Sequence, residues 1–460
     1  MSQTVQDWLE SLEDVDDATR EEAARALAEL GDPTTLEGLL NAIEDDYWAV
    51  RAQVAWALAK IGGNKAIEGL IRLFNDTMME VQSETVNAVS SMGTSVVPSL
   101  IPCLKDERWR VREQAAKALG NLKDPQAVQG LIIACRDRDG AVKSSAAEAL
   151  GKIGDAKAVP ALVKLFKDTS KIVRETAGTA LVHIGESSVD ALLQSLKDPH
   201  FVVRCHAVRA LGGMTTDYQI GRAWVKEPRV VEALVECLKD PDRAVREDAT
   251  IALGIIGDSQ AVDGLIEAMK DGAVKRHAIA SLGMIGDPRA LPAVLDALKG
   301  KGFQQKGTPT PGCIISEEQL IKEAAATALG HLRNPKVIPD LILLLKDIVL
   351  RDYAASSLVL IGDAAIEPLV SFLHDPDLSK VGKESERVMA FASTRMTASG
   401  ALRKIIIETL DKLGWEPSTR ESEASKEAEY TDTSTVLGLE GRFGASGDFA
   451  QPAKAPKIER

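Results

Sequence analysis

The apolar positions of this chain recur in one pattern. In "VRETAGTALVHIG" (173–185) they fall at the first, fifth, eighth, ninth and twelfth places, which is one stripe along a helix. The stretch "AVPALVKLFKD" (158–168) predicts a second helix whose buried face is Leu162, Val163 and Phe166. These two halves alternate along nearly the whole chain. With Leu150 as anchor, the first half recurs at Leu27, Leu58, Val89, Leu119, Leu181, Leu211, Leu253, Leu282, Leu329, Leu358 and Leu410. Most steps are 29 to 31 residues, and the longer steps of 42, 47 and 52 are insertions into the same phrase.

The places around the anchor have physical reasons. Alanine stands four before it in nine of twelve copies and one before it in nine of twelve, small enough for neighbouring helices to approach closely. Glycines such as Gly31, Gly154, Gly185, Gly257, Gly286 and Gly362 end the first helix in a left-handed C′ residue. Asp32-Pro33, Asp124-Pro125, Asp287-Pro288 and Asn334-Pro335 then read as an N-cap with proline at N1. The second helix ends at an aspartate, and a basic residue follows six places on, as in Asp14/Arg20, Asp45/Arg51, Asp106/Arg112 and Asp240/Arg246. Each aspartate is expected to accept backbone N–H groups and to pair with that basic residue. Asp76/Gln82 is the one lapse.

The pattern predicts an all-α architecture without a sheet: an α-solenoid, a superhelical array of antiparallel helix pairs with about 24 helices. It spans residues 1–414, with insertions near 215–227, 300–317 and 375–398. Residues 415–460 break the pattern and read as a disordered tail.

The phrase "D…VR..AA.ALG.IGD..AVP.L...L.D" resembles the HEAT repeat, in the short class named after phycobilisome lyases. The resemblance covers residues 3–414. It implies a solenoid used for holding other proteins, and it says little about which ones, since function sits on the surface places between the pattern residues.

Composition narrows the function. The net charge of −13 is concentrated at one end, because residues 1–50 hold fourteen carboxylates against two cations and the rest is nearly neutral. No basic stripe for nucleic acid is present. No apolar run approaches the ~20 residues needed to cross a bilayer. The five cysteines form no CxxC pair and fit a reducing, cytoplasmic setting. Deoxyhypusine hydroxylases resemble such arrays but carry repeated His-Glu pairs, and no His-Glu dipeptide occurs here. Cys205-His206 is a lone adjacent pair whose side chains diverge on a helix. No catalytic, cofactor-binding or metal residue is assigned, and no cofactor is expected.

The expected function is therefore a non-enzymatic scaffold or adaptor. It would bind one or more partner proteins, within a larger complex, on its concave face and edge loops. A phycobilin lyase or isomerase-like subunit, acting on a chromophore-bearing protein, is the alternative by fold analogy. Candidate partner-binding residues are those that depart from the repeat: Trp48, Met79 and Trp109 at one turn position of successive copies, Tyr218 and Trp224 in the first insertion, Phe303 and Phe391 in the second and third, and Leu439 and Phe443 in the tail.

Overall fold

The computed structural model describes residues 4–213, 227–300, 316–375 and 398–415. They are helical throughout and contain no strand. The helices alternate as the pattern predicts: α1 (Val5–Ser11), α2 (Asp17–Leu30), α3 (Leu36–Asn41), α4 (Trp48–Ile61), α5 (Gly63–Leu73), α6 (Met79–Ser91), α7 (Val97–Leu100) and α8 (Trp109–Leu122). There follow α9 (Val128–Ala134), α10 (Gly140–Ile153), α11 (Val159–Leu165), α12 (Lys171–Ile184), α13 (Val189–Ser195), α14 (Phe201–Leu211), α15 (Pro228–Cys237), α16 (Arg243–Ile256), α17 (Val262–Ala268), α18 (Lys275–Ile285) and α19 (Leu291–Leu298). The last are α20 (Glu317–His331), α21 (Ile338–Leu344), α22 (Arg351–Ile361), α23 (Ile366–Leu373) and α24 (Ala398–Lys412). The chain forms two compact units, residues 1–293 and 294–460. In the first, the even-numbered helices α2 to α18 stack successively and the odd-numbered ones make the second layer. In the second, α20 packs on α22 and α22 on α24.

The stacking distance is set by small residues. Every described anchor residue is buried, from Leu27 to Leu410. The glycine after the anchor meets the small residue before the next anchor. A Cβ on Gly120 would lie 2.7 Å from the Ala149 Cα, one on Gly151 2.8 Å from the Ala180 Cα, and one on Gly330 2.6 Å from the Ser357 Cα. Where serine replaces alanine it remains satisfied: the Ser281 hydroxyl donates to the Thr250 carbonyl at 2.8 Å, and Ser357 to Ala326 at 2.9 Å.

Most second helices open with a short 3-10 turn before the α-helix, where the sequence suggests a single helix; α5 begins without one. The capping residue is as expected. Asp32, Asp124, Asp155 and Asp258 each accept the amide two residues on at 2.8 Å, and Asn334 does so at 3.0 Å. Gly31, Gly154, Gly257 and Gly286 are left-handed. Gly185 and Gly362 differ: φ is positive but ψ is extended, because the 3-10 turn begins at once. Where no glycine stands, Lys123 and Arg333 adopt the positive φ themselves.

The aspartate–arginine ladder is present, with a different pairing from the expected one. Arg112 Nη1 donates to the backbone carbonyl of Asp106, six residues earlier, at 2.8 Å. Its Nε and Nη2 grip the carboxylate of Asp137, in the next copy, at 2.7 and 2.8 Å. Arg20 likewise takes Asp45, Arg51 takes Asp76, Arg204 takes Asp240 and Arg246 takes Asp271. Lys143 takes Asp168. The aspartate side chain meanwhile accepts an amide of its own turn, as at Tyr47, Met78 and Asp139. It therefore turns back toward the preceding copy, and the arginine of its own turn reaches only its carbonyl. Burial alone would raise the Asp45 and Asp137 carboxyls, but the guanidinium and amide hydrogen bonds outweigh it and hold both below the usual range. At the lapse, the Gln82 amide still donates to the Asp76 carbonyl at 2.6 Å and accepts from Gln114 at 2.9 Å. Asp106 is held by Arg108 of its own turn instead.

Gly120→Ala forces a methyl into the α8–α10 contact. It is expected to destabilise the chain by about 1–3 kcal/mol, read as a lowered denaturant midpoint.

Candidate functional site

Three places among the described residues depart from plain stacking. The first is a groove of about 450 Å³ between the second helices α13 and α15. Leu193 and Cys237 form its apolar part, and Asp190, Gln194, Lys197, Arg229, Glu232 and Glu236 its walls. Arg229 bridges Glu227 at 2.6 Å and Asp190 at 3.0 Å, and among the described residues Glu232 and Glu236, both exposed, have no ion pair. The groove lies where the first insertion separates α14 from α15 in the chain.

The wider second-helix layer follows the same logic. The position two after its core leucine reads Asn41, Arg72, Pro102, Ile133, Lys164, Gln194, Glu236, Glu267, Asp296, Leu343 and Ser371, and all eleven are exposed. Their chemistry changes from copy to copy while the buried positions beneath repeat.

The second place is the edge bearing the inter-unit turns. Trp48, Met79 and Trp109 begin α4, α6 and α8, so the structure brings them to the same turn position of three stacked helices. Their exposures are 37%, 76% and 39%. The Arg110 guanidinium lies 4.8 Å from the Trp109 ring centroid, and Tyr47 stands 6.1 Å from Trp48. Phe201 holds the same position at the start of α14 and is also exposed. Phe201 is not among the residues expected from the sequence, although its place three before Arg204 is the signal that could have found it, whereas the exposure of Met78, beside Met79, has no signal in the repeat. Tyr218, Trp224, Phe303, Phe391, Leu439 and Phe443 lie outside the described residues.

The third place is the polar interior around Cys205 and His206. The two side chains face opposite neighbours. His206 stacks on Phe166 with centroids 5.5 Å apart and accepts from Arg174 Nε at 3.2 Å. Cys205 lies toward Asp248, which takes a 2.8 Å hydrogen bond from Arg209. The residue types match a thiol triad, but the geometry does not: the imidazole is turned away from the thiol. Burial pushes the Cys205 thiol up to about 12, and Cys135 and Cys237 likewise, with Cys103 at about 11. None of these four is a thiolate at neutral pH, so none is an activated nucleophile. Among the described residues no group of three or more His, Cys, Asp or Glu side chains is arranged to hold a metal ion. No helix among them is long and apolar enough to cross a membrane.

Models of HEAT repeats match residues 5–90, 73–140, 97–182, 128–212 and 189–274, and models of the PBS lyase HEAT-like repeat match 274–300, 321–347 and 350–375. No curated protein matches by sequence. Among solved structures, Kap121p is similar at 16% identity and a TM-score of 0.55, over 95% of this chain and 49% of that one. The karyopherin Kap121p bound to the SUMO protease Ulp1p is similar at 17% identity and a TM-score of 0.57, over 89% and 48%. Kap121p bound to Nup53p gives 16%, 0.56, 95% and 49%. The chain thus spans about half the length of these structures, and at such identity the likeness is one of fold.

Burial, with Arg209 and Arg174 nearby, lowers the His206 imidazole from 6.5 to about 4. The folded state therefore favours the neutral ring. The stability this contributes is full above pH 6.5 and is lost as the pH falls toward 4. His206→Gln is expected to flatten that part of the acid-unfolding curve, measured by thermal melts across this range.

Proposed function

Because the chain belongs to the HEAT repeat family, we propose that it is a non-enzymatic scaffold that holds partner proteins on the exposed face of its second helices and on its turn edge. The carrying observation is the contrast within each copy. Anchor residues, small stacking residues and turn aspartates repeat because they build the array, whereas the eleven aligned second-helix positions are exposed and chemically different. A surface that varies over a constant frame can be complementary to one particular partner. The groove between α13 and α15 offers on that face a recess of about 450 Å³ with the carboxylates of Glu232 and Glu236 in its lining. The solved Kap121p complexes with Ulp1p and Nup53p show a protein of like fold engaging other proteins. The insertions and the tail supply further contact segments in this reading.

Photo-crosslinking residues placed one at a time at Gln194, Glu236 and Ile172 test it. The first two lie on the second-helix face, and Ile172 is exposed on the first-helix layer. The expected outcome is a shared protein adduct from the first two and none from the third. Glu232→Arg with Glu236→Arg should lower affinity for that protein about tenfold without lowering the melting temperature. Equal adducts from all three positions, or turnover of a small molecule by the isolated chain, would contradict the proposal.

A further inference from the structure

The turn edge carries an apolar patch and an excess of negative charge at the same place. Trp48, Met78, Met79 and Trp109 are exposed on the starts of three consecutive stacked helices. The series ends at Gly140, which begins α10. Within this patch a single guanidinium is surrounded by three carboxylates: Arg20 contacts Asp17 at 2.9 Å, Asp45 at 2.7 Å and Asp46 at 2.7 Å. One positive charge against three negative ones leaves two uncompensated. The neighbouring cations are already engaged: Arg51 with Asp76 and the carbonyls of Asp45 and Asp46, Arg72 with Glu44, and Arg108 with Asp106. Asp14 and Asp16 add exposed carboxylates on the neighbouring turn, while Glu44 is paired with Arg72 at 2.7 Å. The Asp46 side chain is 90% exposed and stands two residues before Trp48. At Trp109 the protein's own Arg110 covers the ring, and the carboxylates of that turn are matched by Arg108 and Arg110.

We propose that this edge docks a partner-protein segment that carries lysine or arginine together with bulky apolar side chains, one cation seating between Asp46 and the Trp48 ring. The inference rests on reading the chain as a protein-binding array and adds which chemistry this edge selects. A ring face with carboxylates beside it attracts an ammonium or guanidinium. The flexible Met78 and Met79 side chains accommodate the apolar residues that follow. An anionic surface, whether lipid or nucleic acid, meets the same carboxylates as repulsion.

The full chain is titrated with a fluorescein-labelled synthetic peptide alternating lysine and leucine, followed by anisotropy. A glutamate–leucine peptide and a lysine–serine peptide are the comparisons. The lysine–leucine peptide is expected to bind tightest. Trp48→Ala should weaken it about five- to tenfold, and Asp46→Asn should weaken it severalfold and reduce its salt dependence. Glu232→Arg with Glu236→Arg should leave it unchanged, so failure at the edge and failure of the second-helix face are told apart. Should Trp48→Ala fold poorly, Asp46→Asn and Met79→Ala, at exposed side chains, decide the matter. Peptide binding indifferent to these substitutions, equal binding of the glutamate peptide, or binding of anionic vesicles at the same residues overturns the proposal.

Discussion

The aspartate at the end of each second helix holds neighbouring copies in register. At most joints its carboxylate accepts an amide of its own turn and the guanidinium or ammonium of the copy before, as Asp137 does through the Asp139 amide and Arg112. The same arginine also ties down the carbonyl at the preceding turn. One ionic contact thereby fixes a turn, a helix start and an inter-copy distance. Both partners are largely buried at most joints, where an ion pair must be well satisfied to avoid a net cost. Here the carboxylate and guanidinium groups are satisfied by this geometry. The glycine-on-alanine contacts then let the helices close to a distance the turns already favour.

Much of this was legible in the sequence because each copy repeats the same constraint. Leu150 and its equivalents, the alanines before them and the capping Asp32, Asp124 and Asp258 all lie where the pattern puts them. The direction of the ladder was not legible. Asp106 and Arg112 are six residues apart in sequence, yet the carboxylate of Arg112's pair comes from Asp137, twenty-five residues on. A local spacing identifies the participants but not which neighbour each faces, since that depends on how the turn aims the carboxylate. The glycine in "ALG" was visible throughout, but its role appears only when the Ala149 Cα is seen at 2.7 Å from where a Cβ would sit.

The functional surface was less legible for the same reason. Stacking is repeated and so announces itself, while a binding position occurs once. Trp48 and Trp109 could be aligned from the sequence, and their partial exposure agrees with an edge position. The groove between α13 and α15 could not be anticipated, because it arises from the spacing of two helices. The adjacent Cys205 and His206 could suggest chemistry; their opposite neighbours and shifted ionisation make them interior packing residues.

The central claim is that the cross-copy carboxylate contact holds the stack. A double-mutant cycle on Arg112→Ala and Asp137→Ala, referenced to the exposed Lys65–Glu37 pair, measures it. The predicted coupling is about 1.5 kcal/mol or more for Arg112 with Asp137 and below about 0.5 kcal/mol for Lys65 with Glu37. Equal, near-zero coupling in both pairs would contradict the account.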